Sequence, residues 1–442
     1  MNDNVIEFIT YKNALKGNYR KGVHTMRCIL ENPAQAADFA ASVGAVSVVF
    51  GVPVDKPDRN SDELLELVLN SFVCDKATLT FLSQFYPENA ESYDTMMNSA
   101  ERCAEIFATP ILWRPVGRSN CLTAKLIVTL AGLNCVEYGD LAAVVSSSVA
   151  MEAVAASQTA MTAVAASQTA MAAVAASSTA VAAVIANSTA LNAVVSSSTA
   201  MAAVAASSTA MAAVIANSTA LNAVVSSSTA MAAVAASPTA MAAIWQSSTA
   251  VQVVQNNATA WSTFTGASSS VIGKTVAILS GLDPNSYADM TAVAASQTAM
   301  AAVAASSTAM TAVAASQTAM TAVAASATAR GAVTASSTAL AALEQSPLIS
   351  EVSASSFNGT SYTTVYTGLC FIVAARRSSG SNTFIFNNTY TGSSTTTGAS
   401  SAKTIGATNS AINLFATGVV VKLESSNSPS SNAIYFRIIK CG

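Results

Sequence analysis

The sequence predicts a multidomain α plus β protein: an α-rich N-terminal domain, helical arrays of a ten-residue repeat, and a C-terminal antiparallel β-sandwich. Three observations carry this. One phrase, as in Met161-Thr-Ala-Val164-Ala-Ala-Ser167-Gln-Thr169-Ala170, recurs from Leu141 to about Ser270 and again from Met290. Ordinary globular composition is confined to residues 1–120. After Pro347, short β-type runs alternate with Ser/Gly/Asn-rich turns.

Composition excludes several function classes. Only 10% of the 442 residues are charged and 6% aromatic, a bias that marks a repetitive architecture. The net charge is −3 and no basic residue falls between Lys125 and Lys274, so nucleic acid is not an expected partner. Met1 to Lys12 holds acids and no apolar core, which argues against a secretory signal. A Ser/Thr cluster breaks the repeats every ten residues, leaving no run of about 18 apolar residues to insert in a membrane. Seven cysteines are scattered without CxxC pairs, and His24 is the one histidine. Structural thiols, and neither a metal nor a cofactor, are the expectation.

In chain order, Pro33–Ser42, Asn60–Val73 and Asn89–Phe107 read as helices of the N-terminal anchoring domain, with Val46–Phe50 as a possible strand. A starter unit at 121–140 follows. Its Lys125 to Asp140 aligns without gaps to Lys274 to Asp289, in a second starter at 271–289. The shared Gly132 and Gly281, Tyr138 and Tyr287, Asp140 and Asp289 predict an apolar element, a Gly turn, and an acid at the mouth of the first repeat helix, where the helix dipole favours it. The arrays span 141–270 and 290–346. Within the first, residues 171–200 and 201–230 are the same thirty residues except that Val181 becomes Met211.

The shape of the repeat follows from helical geometry. On a straight α-helix ten residues leave a drift of about 80° per repeat, so the apolar positions would wind around the rod. A break in each repeat avoids this. Ser167-Gln-Thr169 supplies caps, and Met161 with Val164, Met171 with Val174, Met201 with Val204, and Met211 with Val214 then share one face of a two-turn helix. Such helices must stack on each other or on partner chains. Pro238 fits a first turn and would not fit a helix interior. A β-solenoid is the second choice. Beyond Pro347, runs at 361–366, 369–374, 383–386, 418–423 and 433–439 predict the β-sandwich tip, 347–442.

Catalytic chemistry is not expected. Gly273-Lys274-Thr275 suggests a phosphate loop, but the motif's first glycine position holds Ser268. One histidine leaves no basis for a His-dependent triad. Ice binding through aligned Thr159, Thr169 and Thr179 is a minor alternative. The candidate recognition surface lies in the C-terminal domain, where Arg376, Arg377, Asn387, Asn388 and Tyr390 combine hydrogen-bonding groups with a ring.

The phrase Ser207-Ser208-Thr209-Ala210-Met211-Ala-Ala-Val214, with the starter Gly281-Leu-Asp-Pro-Asn-Ser-Tyr-Ala-Asp-Met290, resembles the decapeptide arrays of tail-fibre and whisker-like appendage proteins of tailed bacteriophages. The resemblance covers residues 125–345. It implies a non-enzymatic virion structural protein, assembled in the bacterial cytoplasm, with homotrimers favoured. Other virion proteins would meet the N-terminal domain, and a host surface glycan or protein the C-terminal one. A collar, sheath or decoration component docked at both ends is the alternative, and a cell-surface adhesin a more distant one.

Overall fold

The computed structural model describes residues 19–51, 59–355, 357, 361–391, 394, 396–399, 402–424 and 433–442. The chain separates into two compact units, Met1–Ala230 and Met231–Gly442. The cut falls inside the first repeat array.

The first unit opens with short helices at Tyr19–Glu31, Pro33–Ala41, Val43–Phe50, Arg59–Leu69 and Cys74–Leu82. Val46–Phe50 is therefore helical, against the strand expectation. Ser42 accepts a hydrogen bond from the Ala45 amide and starts the helix, and Val46, Val49 and Phe50 bury one face, so tertiary packing overrides the β-propensity of valine. The single helix expected over 89–107 is two, Tyr93–Met97 and Ala100–Ala108. Ser92 and Ser99 each cap a new start, and the Arg102 guanidinium bonds back to the carbonyls of Thr95 and Met96.

The repeats are helices, not β-coils. Each decad forms one helix, six residues long in the opening decads, Leu141–Ser146 and Met290–Ala295, and eight or nine in the others, such as Gln158–Ala166, Gln168–Ala176 and Ser178–Ala186. The Ser or Asn at its seventh place is the N-cap of the next helix, accepting from the amide three residues on. Pro238 opens a helix at its first position, where its missing N–H costs nothing. Consecutive helices bend by 95–106°, so three bends bring the chain nearly full circle.

The closure is visible in hydrogen bonds. In the first unit the hydroxyls of Ser177 and Ser197 donate to the carbonyls of Val145 and Ala165, 32 residues back. In the second unit Ser326, Ser336 and Ser346 do the same to Ala294, Ala304 and Ala314. Thirty-two residues are three decads plus the two by which the accepting carbonyl precedes the equivalent cap, as Val145 precedes Ser147. Within each unit a repeat helix therefore stacks on the third before it, as Ser198–Ala206 on Gln168–Ala176. Met161, Val164, Met171, Val174, Met201, Val204, Met211 and Val214 are all buried inside the stack, together with the alanine before each Met. The outer surface is mostly Ala, Ser, Thr and Gln, with Val149, Glu152, Asn192 and Asn222 among the exceptions. The duplicated block of thirty residues is one turn of this stack.

The second starter does not interrupt the array. Its helix, Ser269–Leu279, packs on Pro238–Trp245 before it and on Ser307–Ala315 after it, taking the place of one decad. Just before it, Trp245, Trp261 and Phe264 cluster with ring centroids 5.3–6.2 Å apart.

The C-terminal strands are β1 (Ile349–Ala354), β2 (Thr363–Arg377), β3 (Asn382–Thr389), β4 (Lys403–Ile405), β5 (Ser410–Leu423) and β6 (Ile434–Lys440). They form one curled antiparallel sheet in the order β1-β6-β2-β5-β3-β4, where a two-layer sandwich was expected. Bulges between β2 and β5, near Tyr366, Gly368 and Val373, add local twist. Gly368 sits at φ +129°, and a Cβ there would meet the Gly442 carbonyl at 2.9 Å. One face of the sheet buries Ile372, Phe384, Phe386, Val421, Phe436 and Ile438. On the other face Phe371, Phe415 and Ile439 are also buried, where helices Gln317–Ala325 and Ala327–Thr334 cover β2 and β5.

Candidate functional site

The five residues expected to form a recognition surface do not act together. Arg376 and Arg377 are neighbours on β2, and a strand sends neighbours to opposite faces. Arg377 is buried at 4% exposure and its amide donates to the Gly406 carbonyl at 2.8 Å. Arg376 stays half-exposed, pairs with Glu351 of β1 at 3.1 Å, and lies 4.2 Å from the ring centroid of Tyr435 on β6. Asn387 and Asn388 form a local kink. Asn388 has φ +56°, and its amide donates to the Asn387 side-chain oxygen at 2.9 Å.

Tyr390 is part of an internal contact. Its ring lies 3.8 Å from the Arg330 guanidinium of the second array, and its amide donates to the Phe415 carbonyl. The ring expected to stack on a ligand is thus covered by the protein's own cation. Tyr362 and Tyr366 also lie near cations, Lys422 at 5.0 Å and Lys440 at 5.5 Å, although Tyr362 stays exposed. What remains as a candidate surface is Glu351, Arg376 and Tyr435, which the sheet order β1-β6-β2 brings side by side. Glu351 and Tyr435 carried no sequence signal. Arg330 did, since it stands where the other decads have Met, Val, Leu or Trp.

The paired starter units are structural in both copies. Gly132 and Gly281 have φ of +80° and +71°, and the next amides, of Leu133 and Leu282, donate five residues back to Val128 and Ala277, the glycine-terminated helix end that needs no Cβ. Asp140 and Asp289 cap the following helices by accepting from Ala143 and Ala292. Tyr138 and Tyr287 are half-buried behind these caps. Lys125 is buried, pairs with Asp94 at 2.5 Å, and donates to the carbonyls of Cys135 and Tyr138. Lys274 holds the matching place in the second copy and is half-buried.

Gly273-Lys274-Thr275 lies inside the helix Ser269–Leu279, not in a loop that could cradle phosphate. A Cβ on Gly273 would meet the Asp289 carbonyl carbon at 2.4 Å and the Met290 amide at 2.5 Å, so the glycine serves close backbone packing. The threonine alignment considered for ice also changes. Thr169 lies on a helix stacked against that of Thr199, while Thr159, Thr169 and Thr179 belong to three successive sides.

Grooves run between stacked helices, one of about 670 Å³ lined by Gln168, Ala172, Ala176, Thr199, Ala203 and Ala206. The walls of this groove are Ala, Ser, Thr and Gln, with no acid, histidine or lysine to activate a hydroxyl. Among the described residues no three His, Cys, Asp or Glu side chains converge as metal ligands, and no single helix is long and apolar enough to cross a membrane. The cysteines are free thiols. Burial pushes Cys74, Cys103, Cys370 and Cys441 up to about 12, which suits packing and not nucleophilic chemistry. Comparison with known proteins gives no matching family model and no matching curated relative.

Proposed function

We propose that the chain is a non-enzymatic structural protein of a phage virion, a whisker-like or fibre-like appendage whose repeats form an α-helical solenoid and whose curled sheet is the contact-making tip. One observation carries the reading: in both units capping serines donate to carbonyls 32 residues back. A stack held this way needs only its neighbouring turns, so its length can change without a new core. Such a module is suited to spacing two ends. The near absence of charge along it, and the lack among the described residues of any convergent group of His, Cys, Asp and Glu, favour a scaffold over an enzyme. The N-terminal helical domain then docks on other virion proteins, and the Glu351, Arg376 and Tyr435 surface meets a host glycan or protein. Assembly in the bacterial cytoplasm and a homo-oligomer, a trimer on the strength of the resemblance, complete the proposal.

The stack also favours the second reading, a collar, sheath or decoration component docked at both ends. Thirty residues advance by one helix-packing distance, about 8–10 Å, against about 45 Å for continuous helix at ~1.5 Å per residue. Reach therefore grows slowly with length. Immunogold microscopy of particles made by bacteria that carry the sequence tests both. Label on tail fibres or whiskers supports the appendage, label around the collar or tail tube supports the second reading, and unlabelled particles overturn both.

A further inference from the structure

In the second array Met290, Met300, Met310 and Met320 open successive decads and are fully buried. The next decad opens on Arg330, which is buried just as deeply at 3% exposure. Its guanidinium Nη1 donates to the Ala324 carbonyl at 2.7 Å, and Nη2 to the Ser394 carbonyl at 2.5 Å. The Tyr390 ring covers its face at 3.8 Å, while Nε has no partner. Among the described residues no carboxylate pairs with it. Of the three groups that compensate this buried cation, Ser394 and Tyr390 therefore come from the sheet's β3–β4 connection. Without them a desolvated charge keeps one carbonyl inside an apolar stack, and breaking the surroundings of a buried charge is strongly destabilising.

Two further bonds cross the same contact. Gln317 donates through Nε2 to the Lys440 carbonyl at 2.6 Å, and Arg437 to the Glu344 carbonyl at 3.5 Å. They flank Phe371, Phe415 and Ile439, which the helices cover. A methionine at 330 would fill the helical core as Met320 does and ask nothing of the β3–β4 connection, leaving only these two bonds and the apolar cover across the contact.

We infer that Arg330 makes the last turn of helices, Gln317–Glu344, and the C-terminal sheet one cooperative unit, so that displacing the sheet loosens the helices beneath it. The device works whatever the sheet contacts, and it does not depend on the virion reading. A partner that pulls on the sheet is thereby felt in the array.

Hydrogen–deuterium exchange of the full chain, followed by mass spectrometry over a denaturant series, tests it. In the parent protein amides of 317–344 and of β2 and β5 open together. In Arg330→Met the helices keep or gain protection while the strands lose at least ten-fold, splitting one transition into two. In Tyr390→Ala, which strips the cation of its ring, protection falls in helices and strands alike. If Arg330→Met leaves the two segments opening together with parental protection, or if Tyr390→Ala loosens the strands alone, the coupling does not run through Arg330.

Discussion

The Ser177 hydroxyl donates to the Val145 carbonyl at 2.7 Å and accepts from the Ala180 amide at 3.3 Å. One oxygen thus caps its own helix and fastens that helix to the turn below. Ser177→Ala removes both bonds. A lost N-cap costs about 1 kcal/mol, and a carbonyl deprived of its donor about 1 kcal/mol more. We expect about 2 kcal/mol of destabilisation in urea unfolding. Thr179→Ala, two residues on at an exposed position, should stay within about 0.5 kcal/mol of the parent.

The equality of the duplicated block with one turn leads to a deletion test. Removing residues 171–200 sets each decad of 201–230 on the neighbours that its counterpart had, since the two blocks differ only in Val181 and Met211. Removing 201–210 alone instead sets the Ile215 and Asn217 decad over decads of other types. Mismatched packing costs about 1–3 kcal/mol. The thirty-residue deletion should therefore keep the parental midpoint in denaturant, and the ten-residue deletion should lower it.

Gly273→Ala places a Cβ 2.4–2.5 Å from the backbone of Asp289 and Met290. Backbone cannot yield as a side-chain end can, so the second starter helix must move away from the first helix of the following repeats. Overpacking of this sort costs at least about 1–3 kcal/mol. Gly281→Ala meets no neighbour and bears only the strain of its positive φ, about 1 kcal/mol. Thermal unfolding followed by circular dichroism should rank Gly273→Ala as the worse of the two.

These positions show what a sequence of this kind reveals. The helix breaks were legible because Ser, Asn and Pro238 mark caps chemically. Three helices per turn were not, because a period of ten fixes where the chain bends and leaves open by how much. The thirty-residue duplication held that information in disguise. Val46–Phe50 misled because a short β-branched run fits a buried helix as well as a strand. In the sheet, adjacency along the chain suggested that Arg376 and Arg377 cooperate, whereas pleating separates them. The grouping of Arg376 with Glu351 and Tyr435 depends on β6 inserting between β1 and β2, a pairing across about 85 residues that no local pattern encodes.

The buried thiols set an alkaline limit. Burial raises Cys74, Cys103, Cys370 and Cys441 from 9.0 to about 12. The native state thus holds protons that the unfolded chain releases from about pH 9. Their contribution is complete below pH 9 and is lost as pH climbs towards 12, by up to about 1.4 kcal/mol per pH unit for each thiol. Stability measured by urea should be level on this account up to about pH 8 and fall steeply above 9. Replacing Cys370 by Ser should flatten part of that fall.

The Glu351, Arg376 and Tyr435 surface separates stability from recognition. The ion pair is about 40% exposed on both sides, and such pairs contribute at most about 1 kcal/mol. Arg376→Ala should therefore leave the unfolding midpoint nearly unchanged. If the sheet is the contact-making tip, the same change should lower binding of the full chain to host cells several-fold, because it removes the one half-exposed guanidinium of this cluster together with its hold on the Tyr435 ring. Parental binding by a folded Arg376→Ala chain would move the contact elsewhere on the sheet. Binding that survives Tyr435→Ala as well would return the sheet to the role of a docking element between virion proteins.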